Sequence, residues 1–539
     1  MTPPIHDVVI IGGGTAGLSA ALNLSERGLK PVLLEADPHS FGGRAGSFPE
    51  LSFDYRGKKF TFAPERGVHA WWPHYRNLYS LAGRLGADKE FSEACDQSVN
   101  YSENGKTFNI SFGKAHGKSL LPAPFHHAAF LKHSAARDVM NLRNFSGLLN
   151  LAKKIVEAVK LDPENPLDKE YYTGLNVADY TEGLPRFWAA FMKGLCRAAF
   201  FSEPEEVSLF SFLAALQRYA LFEKKSHCFS FPEGPLSKNL FEPLLEKIRK
   251  NGGTAFSGIH VDKVERGREN GWIIYWHNRN KKSAYTDSGF QKSEGMTRAS
   301  NLILALDAEN TSKLIAASPS LGSVYKEKDR IRGKASAVAR IFWAKSPPEN
   351  SKEAVGLTGG SFADLCFWLH RFQTEFKDNW HGKTGGGVSE SHIYDQGKLK
   401  DLKSAGILDK VQKEVEDNWP GLKGSMVFRI LLKNQSSHYG FPTGHNRPAV
   451  KTIFPDLFLC GDWIDGGASL FCMENACCTG FLAANGVLNA SQKKTFPIHK
   501  AATAPYHVKF LQEFLRAASQ IFPGILSTKK IGRPLPESE

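Results

Sequence analysis

The stretch from Val8 to Glu35 constrains this chain most. Val8 to Ile11 is a β-branched run of the kind that forms a buried strand. It runs directly into Gly12-Gly13-Gly14-Thr15-Ala16-Gly17, and LSAALNLSERG then reads as a helix closing at Gly28. The frame is G-x-G-x-x-G on Gly12, Gly14 and Gly17. Gly12 permits the tight turn, Gly14 lets the backbone approach a pyrophosphate, and Gly17 lets the helix pack closely on the strand. Phosphate is expected at the start of that helix, by Thr15 and Ala16, where free N–H groups and the dipole favour anions. A second strand, PVLLE, ends at Glu35. Its carboxylate is placed to accept hydrogen bonds from ribose hydroxyls and to repel a 2′-phosphate. Strand, glycine turn, helix and terminal acid in this order announce a dinucleotide-binding α/β fold.

The glycine pair and arginine of Phe41-Gly42-Gly43-Arg44-Ala45-Gly46-Ser47 are not needed for NAD. They resemble the second fingerprint of flavoproteins with a glutathione-reductase-type FAD fold. That resemblance implies that Gly42 and Gly43 pass the diphosphate and that Arg44 approaches phosphate and flavin. The far end of the chain points the same way. DLFLCGDWIDGG (456–467) reads as strand, Gly461-Asp462 and loop, and FCMENACCTGFLAANGVL (471–488) as a helix. In the same superfamily such a Gly-Asp contacts the ribityl–phosphate arm, and the next helix points its N-terminus at the flavin pyrimidine edge. A helix N-terminus stabilises negative charge on a reduced flavin, which places Met473 by the ring. Mid-chain, residues 234–265 read as a helix, a turn at Gly252-Gly253 and a strand ending near Val261, with NLILALD (301–307) as another buried strand. By resemblance to flavin amine oxidases, Val261 pairs its backbone with adenine.

Over roughly Val8 to Leu488 the chain resembles the carotene desaturase branch of the flavin-containing amine oxidoreductase superfamily. The resemblance rests on GGGTAGLSAALNL, GGRAGSF, GVHAWWPHYRNL, SFPEGPLSKNLFEPL, GHNRP and LFLCGDW with MENACCTGFLAANGVL. It implies a fold of class α/β: a Rossmann FAD-binding domain assembled from discontinuous segments, plus a mixed α+β substrate domain with an amphipathic helical part. The expected boundaries are 1–64, 226–310 and 436–490 for the FAD-binding domain. Residues 65–225 and 311–435 form the substrate domain, the first part membrane-facing, and 491–539 an amphipathic tail. The cofactor implied is FAD, and the substrate an apolar isoprenoid such as a carotenoid. Phytoene and zeta-carotene desaturases, carotene isomerases and aromatic-ring-forming enzymes all belong to that branch.

The segment Glu65 to Leu78 falls on the family's flavin-side substrate wall through Gly67, His69, Trp71, Trp72, Tyr75 and Asn77. Arg66 departs from the family, which usually carries a histidine or similar residue there, and hints at a polar group on the substrate. Desaturation removes a hydride and a proton from adjacent carbons, the hydride going to flavin N5. Aromatic faces stabilise an allylic cation, and tryptophan does so best. The candidate catalytic residues are therefore His69, Arg66, Trp71 and Trp72, with His69 as a proton acceptor near neutrality. The alternative is that His69 only hydrogen-bonds backbone while the tryptophans pack a domain junction. Rival functions are another flavin amine oxidoreductase (amine oxidase, protoporphyrinogen oxidase or triterpenoid oxidoreductase) and a prenyl-lipid escort that uses no FAD.

Bulk properties narrow the partners. A chain of 539 residues implies two or three domains. Its net charge of +13 comes without any nucleic-acid-reading signature, which favours anionic lipid over nucleic acid. The N-terminus has no signal-peptide pattern, and no apolar run is long enough to span a bilayer. The segments 187–201 and 209–222 read as core helices or membrane-surface helices, and 507–526 as an amphipathic helix that packs on the protein or on lipid. The expected location is cytoplasmic and peripheral on the membrane surface. The eight cysteines never form C-x-x-C and read as reduced thiols. No metal site is expected: His126, His127 and His133 lack ligand spacing, and His381 to Gly385 lacks the upstream glycine of a P-loop. Asp364 and Glu390 are acids without an assigned place. With no second nucleotide fingerprint, quinone or oxygen is the expected electron acceptor; the oligomeric state stays open.

Overall fold

The computed structural model describes residues 5–111, 113, 117–132, 145–225, 228–267, 271–279, 290, 292–322, 324, 332–467, 470–500 and 504–521. The chain enters through β1 (Ile5–Ile11), α1 (Thr15–Glu26) and β2 (Pro31–Leu34). It then makes a first excursion, through β3 (Gln97–Glu103), β4 (Lys106–Ser111) and the helices α2 (Phe145–Lys160), α3 (Arg186–Phe200) and α4 (Leu209–Leu216). It returns through α5 (Glu242–Lys250), β5 (Thr254–Phe256), β6 (Ile259–Arg266), β7 (Trp272–Asn278) and β8 (Glu294–Leu304). A second excursion carries β9 (Lys334–Trp343), β10 (Ala354–Gly359), β11 (Leu365–Trp368), β12 (Gly387–Ile393) and β13 (Met426–His438). Finally β14 (Leu457–Leu459), α6 (Cys472–Ala490) and α7 (Tyr506–Ile521) close the chain.

The first, second and last returns build one seven-stranded sheet in the order β5-β2-β1-β8-β7-β6, with β14 on the other side of β8. Strands β5, β2, β1, β8 and β14 run parallel, and β7 and β6 continue antiparallel. Val8, Val9 and Ile10 are fully buried, as a parallel strand covered on both faces must be. Helix α6 lies against α1 so closely that a Cβ on Gly480 would strike the carbonyl of Ala16. That contact brings the last segment onto the first.

The strand expected to end near Val261 is two strands. Gly258 at φ 74° interrupts it after β5, and β6 then runs past Val261 to Arg266. The strand expected over 301–307 starts earlier and stops at Leu304, because its first half alternates against β7 while only its last turn of chain is buried on both faces.

The two excursions share a second seven-stranded sheet, in the order β13-β9-β12-β11-β10-β3-β4. Strand β3 joins it parallel to β10, so residues 97–103 of the first excursion are stitched to the second. Helix α4 is core: Leu209, Phe212, Leu213 and Ala214 are buried. Helix α3 buries Phe187, Met192, Cys196 and Phe200 and keeps Lys193 outside. Helix α7 packs one face on the protein. Gln512 and Arg516 donate to the carbonyls of Val159 and Lys160 at the end of α2, at 2.8 and 2.6 Å. Phe510 and Phe514 on its other face are exposed. The expected continuation to 526, the remainder of the tail and His133 lie outside the described residues. Among the described residues no helix is long and apolar enough to cross a membrane.

Candidate active site

After β1 the backbone turns through Gly12 at φ 108°. A Cβ there would meet the Ala305 carbonyl oxygen at 2.5 Å, and one on Gly17 would strike the Gly12 carbonyl. Gly14 differs, since nothing lies nearer than 4.0 Å to its built Cβ. The turn is thus tight where chain meets chain and open on the side a pyrophosphate takes. Gly14 caps α1 without a side chain, which leaves the first-turn N–H groups of Thr15 and Ala16 to an anion. Glu35 accepts the N–H of Gly13 and of Asp37, each at 2.7 Å. Burial pushes its carboxyl up, and those N–H groups pull it back. The Ile259 N–H donates to the Glu35 carbonyl at 2.8 Å, so β6 brings Val261 alongside the acid.

The second fingerprint closes on the first. The Gly42 N–H donates to the Gly13 carbonyl at 2.8 Å, and Gly42 bridges Gly14 in parallel. Arg44 Nη2 then donates to Asp462 Oδ1 at 2.5 Å, which joins the first cofactor segment to the last. The Gly461 N–H donates to Thr479 Oγ1 at 2.9 Å, and Asn475 Nδ2 to the carbonyls of Asp462 and Ile464 at 2.7 Å. These bonds hold the Gly461–Asp462 turn on α6. Phe471 gives α6 no side-chain cap, so Met473 sits in a first turn whose N–H groups point out of the helix.

The segment from Glu65 to Leu78 crosses between this half and the second sheet. The Val68 N–H donates to Glu390 Oε1 at 2.8 Å. Glu390 is fully buried on β12, paired with Arg340 Nη2 and, at 2.8 Å, with His392 Nε2; His392 Nδ1 meets the Tyr394 hydroxyl at 2.7 Å. Burial would raise the Glu390 carboxyl, but Arg340 and His392 outweigh it and hold it at about 2. His69 is half-buried and its pKa falls to about 4 through desolvation, so the imidazole is neutral. Its Nδ1 has no hydrogen-bond partner among the described residues. Desolvation also drives His438 well down; its Nδ1 lies 3.4 Å from Arg44 Nη1 and its ring stacks on Phe201 at 3.7 Å.

The adjacent tryptophans part company. Trp71 is fully buried between Phe91 and Tyr79, with centroids at 4.6 and 5.3 Å. Trp72 is half-buried and forms a cage with Tyr219 and Phe229 at 5.1 and 5.2 Å. The Tyr75 hydroxyl lies 3.0 Å from that of Tyr219. Arg66 turns the other way: Nη2 pairs with Asp37 at 2.9 Å, and the guanidinium lies over Phe48. Its carbonyl accepts Asn434 Nδ2 at 2.6 Å.

The family model for flavin containing amine oxidoreductase matches residues 15–488. The chain belongs to that family. It is an FAD-dependent oxidoreductase. It is 25% identical to a carotenoid phi-ring synthase of Streptomyces griseus over 89% of this chain and 87% of that protein. A chloroplastic/chromoplastic 15-cis-phytoene desaturase of an Oncidium hybrid cultivar is 28% identical over 48% of this chain and 41% of that protein. The oxidoreductase also shares its fold with cyclohexylamine oxidase of Brevibacterium oxydans, with a TM-score of 0.62, 13% identity, and coverage of 91% of this chain and all of that one.

In this flavin amine oxidoreductase the three cofactor segments meet through Gly13 with Glu35, Gly42 with Gly13 and Arg44 with Asp462. The open face of Gly14, the uncapped starts of α1 and α6 and the His69 Nδ1 without a partner fit FAD, which those residues would hold. Sequence reasoning named Glu390 without placing it, and missed Glu474, His438 and the Arg340–Glu390–His392 network that holds it. Glu474 had a local signal, an acid in the first turn of a helix. The network had none, because cross-strand pairing assembles it.

Proposed function

We propose that this oxidoreductase forms a carbon–carbon double bond in a long apolar isoprenoid of the carotenoid class. The observation that carries the reading is the cage of Trp72, Tyr75, Tyr219 and Phe229 packed against His74, whose pKa desolvation lowers to about 3. Such a wall suits an uncharged hydrocarbon, and aromatic faces stabilise positive charge that develops as hydride leaves. FAD supplies the hydride acceptor. Trp72 is assigned to the substrate wall and Trp71 to its support. His69 is assigned to take the proton, because its neutral ring offers an unpartnered Nδ1. Arg66 is assigned to positioning, through Asp37 on the nucleotide side. The near full-length likeness to a phi-ring synthase makes oxidation of a carotenoid end ring the first reaction to test.

We assign the docking of this substrate's bilayer to α7 and its neighbours. Phe510 and Phe514, with Leu120, Leu121 and Phe125, are exposed, and His507 Nε2 lies 2.8 Å from the Ala123 carbonyl, which holds the two groups together. Apolar side chains with lysines alongside, on a chain of net charge +13, suit an anionic membrane. Quinone or oxygen is assigned as the final acceptor.

The test is anaerobic mixing of the yellow holoprotein with carotenes carried in lipid vesicles. Bleaching of the flavin band by a carotene, with a product carrying a new double bond, supports the reading. Bleaching by amines alone overturns it.

A further inference from the structure

Among the described residues, one group of side chains that could hold a metal ion lies on the outer hairpin of the cofactor sheet. His260 on β6 and His277 on β7 are direct antiparallel partners, so their side chains stand on one face. The register slips between Val261 and Lys263, which leaves Asp262 as the extra residue of a bulge. Its carboxylate reaches both rings: Oδ1 is 2.8 Å from His277 Nδ1 and 3.2 Å from His260 Nδ1. One donor atom from each of the three lies within 4.8 Å of the others.

We propose that His260, Asp262 and His277 form a binding site for a divalent metal ion of the zinc class. Two imidazoles and one carboxylate are the donors that borderline cations select, whereas calcium and magnesium seek oxygen ligands. Tetrahedral zinc with bonds of about 2.0–2.1 Å sets its ligands about 3.3–3.4 Å apart. The two carboxylate–imidazole contacts therefore open by about half an ångström at most, and the imidazole pair, within 4.8 Å, closes to the same spacing. All three side chains are partly exposed, which leaves a fourth position to water. The neighbouring ammonium of Lys263 is engaged by Glu265 at 2.7 Å. No short-range sequence spacing signals the site, because the pairing of β6 with β7 makes it. The bulge that frees Asp262 sits next to Val261, beside Glu35, so the ion clamps the edge of the cofactor sheet.

The test is calorimetric titration of the FAD-loaded, untagged protein with zinc chloride, beside the double variant His260→Ala/His277→Ala and the single variant His277→Gln. Eighteen histidines make a variant control necessary. The expected result is one equivalent bound by the natural protein, affinity weakened about tenfold or more in both variants, and a metal-induced rise in unfolding temperature in the natural protein alone. Cobalt in place of zinc should give the visible bands of a four-coordinate ion in a difference spectrum. Retained flavin absorbance shows that each variant is folded, and His277→Gln carries the comparison if the double variant is not. Identical isotherms in natural and variant proteins, or no binding at all, overturn the site and leave the trio as an ion-pair cluster.

Discussion

Glu474 accepts the backbone N–H of Asn77 at 2.9 Å and its side-chain amide at 2.8 Å, while its second oxygen accepts the N–H of Leu78 at 3.0 Å. One carboxylate in the first turn of α6 therefore caps the short helix Arg76–Gly83 that follows the aromatic cluster. The substrate wall and the helix that carries Met473 are fixed to each other. Glu474→Ala removes an acceptor from three buried donors. It is expected to cost about 2–6 kcal/mol, since the two backbone donors it orphans cost about 1–3 kcal/mol each while the Asn77 amide keeps the His499 carbonyl. Thermal unfolding checks this, with FAD released earlier in the melt than from the natural protein.

Acid should weaken the fold before most carboxylates titrate. Desolvation holds His69 at about 4, His74 at about 3 and His370 at about 4, all below the unfolded value of 6.5. The folded-state pKa is the lower one, so below pH 6.5 the unfolded chain binds more protons and stability falls as pH falls. At pH 5.5 each histidine contributes a loss of about 1 kcal/mol. Glu65 acts with the opposite sign, because burial raises its carboxyl to about 7 and its stability contribution is lost as pH rises from 4.5. A single variant separates them. In His74→Leu the drop in unfolding free energy between pH 7.5 and 5.5, read from urea curves, should shrink by about 1 kcal/mol.

The neighbouring tryptophans should fail differently. Trp71→Ala empties a fully buried site and is expected to cost about 3–5 kcal/mol, seen as a lower urea midpoint. Trp72→Ala opens the half-buried cage instead. Its expected effect is a rate of flavin bleaching by carotene lower by about tenfold, the scale of one lost cation–π contact, with a nearly unchanged midpoint. Trp72→Phe should restore most of the rate. Equal loss of stability in both alanine variants would place Trp72 in the core as well.

What could be read from the chain divides along one physical line. The FAD-dependent fold is legible because each of its signals is local: a glycine frame at Gly12, an acid at the end of β2, a Gly-Asp before a helix. Arg44 and Asp462 could be named for the same reason, although their 2.5 Å contact could not. The second sheet was not legible, because Arg340, Glu390 and His392 meet through strand register. Arg66 was read as part of the substrate wall from its place beside Gly67. Its guanidinium pairs with Asp37, a partner 29 residues earlier in the chain that no local spacing signals. The core-or-membrane ambiguity of 209–222 was equally beyond the sequence: buried helices and surface-docking helices both need apolar residues, and only the packing of α4 decides.

Helix α7 presents the remaining half of that ambiguity. Val508 is fully buried while Phe510 and Phe514 are 72% and 60% exposed. Its inner face is held by Gln512 and Arg516, so the outer rings can be changed without undocking the helix. Phe510→Ser/Phe514→Ser should leave the unfolding midpoint within about 0.5 kcal/mol of the natural value, as for exposed sites generally. The same change removes two rings, each of which adds about 1.5–3 kcal/mol when buried in an apolar phase. Sedimentation with anionic vesicles should then fall by about tenfold or more, and high salt should weaken what binding is left. If the double variant pellets with vesicles as the natural protein does, α7 is not the docking element.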